Sequence, residues 1–214
     1  MKNIFIILIS ILPSNILRIF FYRNILQYEI DYNSTIGFLV FINCKNCKIQ
    51  NSNIKSLNIL KINQILIENS KIENFNIFKN FDILRIFNNS LIKKQNKFYG
   101  KKKINENSIL EINQNSEIGN ENFFDLSGNI MISENAKILN YCQFWTHGFS
   151  PQREIKIGNI EIGKNVFLED CVTVISNVKI VKNCTIKIAS IVTKSLDEQN
   201  TYSSNKLTKK LSDD

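Results

Sequence analysis

An all-β fold, a parallel β-helix of stacked coils, is what this sequence predicts, on three observations. Aliphatic residues recur every six positions over Ile162, Leu168, Val174, Ile180, Ile186 and Val192. Ile49–Ile54 (IQNSNI) is echoed one coil later by Ile67–Ile72 (IENSKI). The composition sets 38 Ile and 32 Asn against two Ala and two Pro. A period of six fits neither a helix nor an alternating strand, and three hexads close one turn of a solenoid. Scarce Ala and frequent Asn, a poor helix former, argue against a helical bundle.

Each coil of such a solenoid lays short strands over those of the coil before, at a spacing of about 4.8 Å. Two apolar columns then point inward and stack. The second column here is Val166, Val172, Val178, Cys184, Ser190 and Leu196. The register reaches back through Ile132, Ile138 and Phe144, with Ala136 and Cys142 in the companion column. A block of Ile112, Ile118 and Phe124 is offset by two residues. In the N-terminal half Leu57, Ile59, Leu60, Ile65 and Leu66 map onto Phe75, Ile77, Phe78, Ile83 and Leu84. Corners need residues tolerant of left-handed backbone, best met by Gly and Asn. Asn135, Asn165, Asn177 and Asn183 share one hexad position, as corners require. The expected solenoid has about eight or nine coils across residues 34–196.

Residues 1–33 form a lead-in. Lys2 and the apolar run Ile4–Leu12 resemble a signal peptide's first two regions, but Pro13–Asn15 lacks a small-x-small cleavage pattern. The run is also too short to span a bilayer. Asn15–Tyr28 reads as a basic amphipathic helix capped by Ser14 or Asn15. Such a helix packs on the main domain or touches a membrane surface peripherally. Two segments interrupt the repeats: Lys93–Lys103 (KKQNKFYGKKK), read as a basic loop, and residues 145–158, where Gly148–Lys156 breaks the inward pattern. Loops projecting from β-helix corners often build sites. Residues 197–214 are polar and read as a cap on the last coil.

The 214 residues suit one substantial domain or two small ones, and 43% hydrophobic content argues against a disordered chain. Lys and Arg outnumber Asp and Glu by 27 to 19, a net charge of +8, yet no nucleic-acid-binding signature accompanies it. Of the five Cys, Cys142 and Cys184 fall in the inward column, and Cys44 with Cys47 makes only half of a zinc site. No metal is expected, and unpaired cysteines suit a reducing, cytoplasmic setting. The chain holds a single histidine, His147.

These residues bring the chain to a family. It resembles the hexapeptide-repeat, left-handed β-helix acyltransferases, especially bacterial sugar O-acetyltransferases of surface-polysaccharide pathways. The likeness is strongest over Asp125–Leu211 and weaker over Pro13–Ile92. Phe144–Arg153 (FWTHGFSPQR) is similar to that family's histidine loop, and Ser190–Lys194 (SIVTK) to its final coenzyme A-binding segment. Asp125–Gly128 (DLSG) lies one coil upstream, where the family keeps polar acceptor-site residues. The left-handed winding comes from this resemblance alone, since the general crossover rule is right-handed.

The resemblance implies transfer of an acetyl group from acetyl-CoA to a sugar hydroxyl, with His147 as general base and Asp125 orienting it or meeting the acceptor. An imidazole can accept the hydroxyl proton, and a neighbouring carboxylate can set its tautomer. Asn122 and Trp145 are candidate acceptor contacts. Phe167, Asp170, Ile188, Ala189, Thr193, Lys194 and Lys209 correspond to cofactor contacts, and a homotrimer with sites between subunits is implied. Departures exist. Glu169-Asp170 replaces a Gly followed by a small residue, Ile188-Ala189 replaces a small pair, and Ser204–Leu207 (SNKL) replaces a Gly-x-Pro turn. An N-acyltransferase acting on an amino sugar and a catalytically degenerate binding or scaffold module are the other readings. One histidine excludes the β-helical carbonic anhydrases, which need three zinc ligands of that type.

Overall fold

The structure, a computed structural model, describes residues 2–101 and 108–204. It is a left-handed parallel β-helix of about nine coils, capped at its N-terminal end by two helices. Each coil contributes one short strand to each of three faces, and every coil-to-coil ladder is parallel. The first face runs from Glu29–Ile30 to Val178–Ile180, the second from Thr35–Ile36 to Thr201–Tyr202, and the third from Phe41–Asn43 to Ile191–Val192.

Parallel register stacks like on like. On the first face Ile30, Ile49, Ile67, Ile86, Ile112, Ile132, Ile162 and Ile180 pair in succession, and all are fully buried. β-Branched side chains suit this pleated, crowded surface. The third face stacks Phe78, Phe98, Phe124 and Phe144 nearly ring on ring, with centroids 4.4, 4.6 and 4.4 Å apart. The six-residue columns are therefore the core. From Ile65 the N-terminal echo slips by one residue, because Ile65 pairs with Leu84 rather than Ile83.

In the N-terminal half the companion column is polar. Ser34, Ser52, Ser70 and Ser90 are buried, and each of the first three accepts a bond from the backbone N–H of the next. Buried Asn58, Asn76, Asn96 and Asn122 do likewise: Asn76 N donates to Asn58 Oδ1 at 2.7 Å, and the bond repeats up the column. These amides satisfy backbone groups at corners where no strand pairs. The outer corner between the first two faces carries Asn51, Asn69, Asn89, Asn115, Asn135, Asn165 and Asn183, all with φ between 43° and 59°. Asn177, which shares their hexad position, turns a different corner at φ 60°. Among the described residues no glycine takes positive φ, so asparagine alone of the expected pair turns these corners.

The lead-in holds two helices, α1 (Lys2–Ser10) and α2 (Asn15–Leu26), where a single amphipathic helix was expected. Ser14 occupies the N-cap of α2 without a side-chain cap bond, and Asn15 instead bonds Ser34 O and Ile36 N. Arg18 donates to Ile36 O and Leu12 O, and the Tyr22 hydroxyl donates to Val40 O at 2.7 Å. The unpaired edge of the first coil is thus covered by side chains, which blunts a template for further strand addition.

The segment read as a basic loop is mostly solenoid. Lys97–Tyr99 forms a third-face strand with Phe98 inward and fully buried between an outward Lys97 and a half-buried Tyr99, because Phe98 keeps the register of Phe78 on the coil before. Lys102 and Lys103 lie outside the described residues. At the other end Thr201–Tyr202 adds a strand to Thr185–Ile186, so part of the polar tail continues the solenoid. Residues 205–214 lie outside the described residues.

Asn96 tests the interior ladder. Its Oδ1 accepts from Asn122 N, and its Nδ2 donates to Gly119 O and Asn76 Oδ1. Asn96→Leu is expected to cost about 1–3 kcal/mol for each group left unpaired. Gln114→Ala on an exposed corner should stay within about 0.5 kcal/mol. Urea unfolding of both variants checks the contrast.

Candidate active site

The coil that begins on the third face at Gln143–Trp145 is longer than its neighbours. Its counterpart residues sit 30 positions apart rather than 18, as in the Asn140 to Asp170 bond. The extra chain leaves the third-to-first corner as an antiparallel hairpin, His147–Phe149 against Ile155–Ile157. Gly158 N donates to Thr146 O at 2.8 Å and closes its base. A Cβ on Gly158 would meet the Asn177 side-chain amide at 2.2 Å, so a larger residue at this re-entry would have to displace that amide.

Asp125 ends the strand Phe123–Asp125, directly paired with Trp145 on the next coil. Its Oδ2 lies 2.7 Å from His147 Nδ1 and accepts the backbone N–H groups of Thr146 and His147, both at 3.0 Å. Oδ1 accepts from the Ser127 hydroxyl at 2.8 Å. Thr146 Oγ1 stands 2.9 Å from Oδ2 and 2.8 Å from Asp125 O, and accepts from Gly128 N at 2.8 Å. A carboxylate can only accept, so Nδ1 carries the imidazole proton and Nε2 keeps its lone pair. Nε2 has no hydrogen-bond partner among the described residues. The His147 side chain retains 12% exposure against 5% for Asp125, so the imidazole is the accessible member of the pair.

Burial pushes the Asp125 carboxyl upward in pKa. The hydrogen bonds from His147, Ser127 and Thr146 outweigh it and hold the group below its ordinary 3.8. Asp125 is therefore a fixed anion wherever the imidazole is neutral. Chemically, a buried carboxylate orients an imidazole whose free nitrogen faces outward, an arrangement suited to taking a proton from a bound hydroxyl.

Aromatic groups flank this pair. Trp145, half-buried, packs on Phe123 with centroids 4.9 Å apart and meets the His147 ring edge-on at 6.3 Å. Phe149 meets the other side of His147 at 6.0 Å. Asn122 does not join them. It is buried in the interior ladder, its Nδ2 bonded to Asn96 and its Oδ1 to Cys142 N, because its position points inward at the second-to-third corner.

The residues corresponding to cofactor contacts divide between two edges of the prism. Thr193 and Lys194 lie on the same corner as His147, two coils further on and about 10 Å along the axis. They line a hollow with Tyr202 and Ser204. Phe167 is on the second face, and Asp170, Ile188 and Ala189 follow at the second-to-third corner, away from His147 in the same chain. Lys209 lies outside the described residues. The acidic pair is engaged locally: Glu169 pairs with Lys187 at 2.8 Å and accepts from Ile188 N, while Asp170 accepts from Asn140. Ser127 and Thr146 complete the carboxylate's partners without having been singled out in the sequence. Their signal was a hydroxyl residue inside each of the two segments carrying Asp125 and His147.

No protein-family model matches this chain, and no curated protein sequence does. Among solved structures, LpxA from Acinetobacter baumannii superposes with a TM-score of 0.58 over 83% of this chain and 67% of that one, at 14% identity. The polySia-specific acetyltransferase NeuO gives 0.38 at 16% identity, over 81% of this chain and 74% of its own. The polysialic acid O-acetyltransferase OatWY gives 0.43 at 15% identity, over 82% and 80%. The chain has the hexapeptide-repeat, left-handed β-helix fold shared with LpxA.

The lowered carboxyl implies a pH signature. A depressed folded-state pKa contributes stability above the ordinary value and loses it as pH falls through the depressed one. The Tm advantage of the wild-type protein over Asp125→Asn should hold above about pH 4 and shrink as acidification protonates the carboxylate. Thermal unfolding followed by circular dichroism across that range measures it.

Proposed function

We propose that this protein is an acetyl-CoA-dependent O-acetyltransferase that acts on a sugar hydroxyl, in the making of a surface polysaccharide in the cytoplasm. The observation that carries the reading is the His147–Asp125 pair, with Nδ1 committed to the carboxylate and Nε2 open at the base of a projecting hairpin. His147 Nε2 takes the acceptor hydroxyl's proton as that oxygen bonds to the thioester carbonyl carbon. The carbon–sulfur bond breaks, and the thiolate leaves with the proton returned by the imidazolium. Ser127, Thr146 and the two backbone N–H groups hold Asp125, and Asp125 holds the ring.

Donor binding rests on the resemblance together with the chemistry of the residues present. Thr193 and Lys194 supply a hydroxyl and a cation beside a hollow on the His147 corner, suited to the phosphates of coenzyme A. The internal pairing of Glu169 with Lys187 offsets the charge that would otherwise repel that donor. Phe167, Asp170, Ile188 and Ala189 fit a donor site completed by the His147 corner of a neighbouring copy, which supports a homotrimer. Trp145, beside the imidazole, offers an aromatic face to the acceptor.

His147→Ala should leave the fold intact while transfer falls by roughly 10²–10⁴-fold, the usual worth of a positioned base. Asp125→Asn should also slow transfer, because an amide can donate to Nδ1 and no longer fixes the tautomer that leaves Nε2 free. Free-thiol release from acetyl-CoA, scanned over a panel of sugars and nucleotide sugars, measures both. Wild-type rates in a folded His147→Ala protein would overturn the reading.

A further inference from the structure

The helices α1 and α2 are apolar on both sides. Their inner faces bury Ile6, Ile9, Ile19 and Tyr22 against the first coil, which accounts for the cap. Their outer faces should then be polar, as on any surface helix. Instead Ile4, Ile7 and Leu8 of α1 and Ile16, Phe20 and Ile25 of α2 stand between 42% and 68% exposed. A large exposed apolar area of this kind marks an interaction surface.

Charge names the partner. Residues 2–28 hold no Asp or Glu, and through residue 61 there are seven basic residues against two acidic ones. Two copies meeting through this end would bring like charges together. An anionic surface would be attracted to it. Length narrows the class further. At 1.5 Å per residue the nine- and twelve-residue helices reach about 14 and 18 Å, short of a hydrocarbon core of about 30 Å. No helix among the described residues is long and apolar enough to cross a membrane. Helices that are apolar, short and basic at their margins lie in the headgroup plane. Tyr32, exposed and covered by the Arg23 guanidinium at 4.7 Å, adds an aromatic and a cation at the rim.

We propose that the outer face of the α1–α2 hairpin docks the protein on the surface of an anionic phospholipid bilayer, with the solenoid axis leading away from it. The test is sedimentation of the full chain with vesicles of phosphatidylcholine plus phosphatidylglycerol, against phosphatidylcholine alone. Binding to the anionic vesicles, weakened by salt, is the expected result. Leu8→Asn/Ile16→Asn should weaken it by roughly tenfold or more, with circular dichroism and Tm unchanged because neither side chain is among those buried against the first coil. Ile4→Asn/Phe20→Asn, on other turns, provides a second pair should the first fail to fold. Failure to bind either vesicle, or equal binding by a folded double variant, would overturn the proposal. So would dissociation of an oligomer by these substitutions, which would make the face a contact between copies.

Discussion

Parallel stacking of coil on coil is the constraint from which the rest of this protein follows. Each residue lies directly over its counterpart about 4.8 Å away, so every inward position must tolerate a near-copy of itself above and below. Eight successive isoleucines on the first face meet that demand with stiff, β-branched side chains. The phenylalanines of the third face meet it by stacking flat, within 4.6 Å of one another. Polar residues obey the same rule. A buried asparagine is acceptable in the column because the next coil offers the N–H that its oxygen needs, and Asn58 through Asn122 use this in sequence.

Stacking also leaves two kinds of loose end. Ladder groups of the first coil have no coil beneath them, and Arg18, Asn15 and Tyr22 reach out of the helical cap to take their place. Outward side chains have only water and their neighbours. There Lys55 and Glu73, Lys164 and Glu134, and Lys179 and Glu161 pair across adjacent coils. Such exposed pairs contribute little energy individually, and their regularity follows from the register that places them opposite one another.

A solenoid interrupted at a corner keeps its core so long as the next strand resumes the register. The long coil after Trp145 does so: Ile130–Ile132 still pairs with Ile160–Ile162 although a hairpin intervenes. Asp125 is buried at the foot of that hairpin. A lone carboxylate there would be costly. The corner supplies backbone N–H groups of Thr146 and His147, the Ser127 and Thr146 hydroxyls and the imidazole, and together these keep it ionised. The same set of bonds fixes the ring that stands closest to solvent.

Most of the architecture was legible in the residues, since a six-residue period leaves one way to bury Ile132, Ile162 and Ile180 together. The lone histidine stood out because His147 falls where that period breaks. Other features were hidden. Phe98 looked like part of a charged loop, for it stands among the lysines of a basic run and local composition carries no sign of which side faces the core. Asn122 looked like a site residue, for an inward and an outward asparagine read alike until the corner that carries them is known. The 2.7 Å contact between Asp125 and His147 joins residues 22 positions apart, and the two helices cap an edge formed by later strands. Periodicity along the chain determined the coil and its core, because burial repeats wherever the backbone does. Which corner each polar side chain turns, and what it meets there, only the tertiary structure decided, because insertions of different length set the register between coils and short-range pattern does not record them.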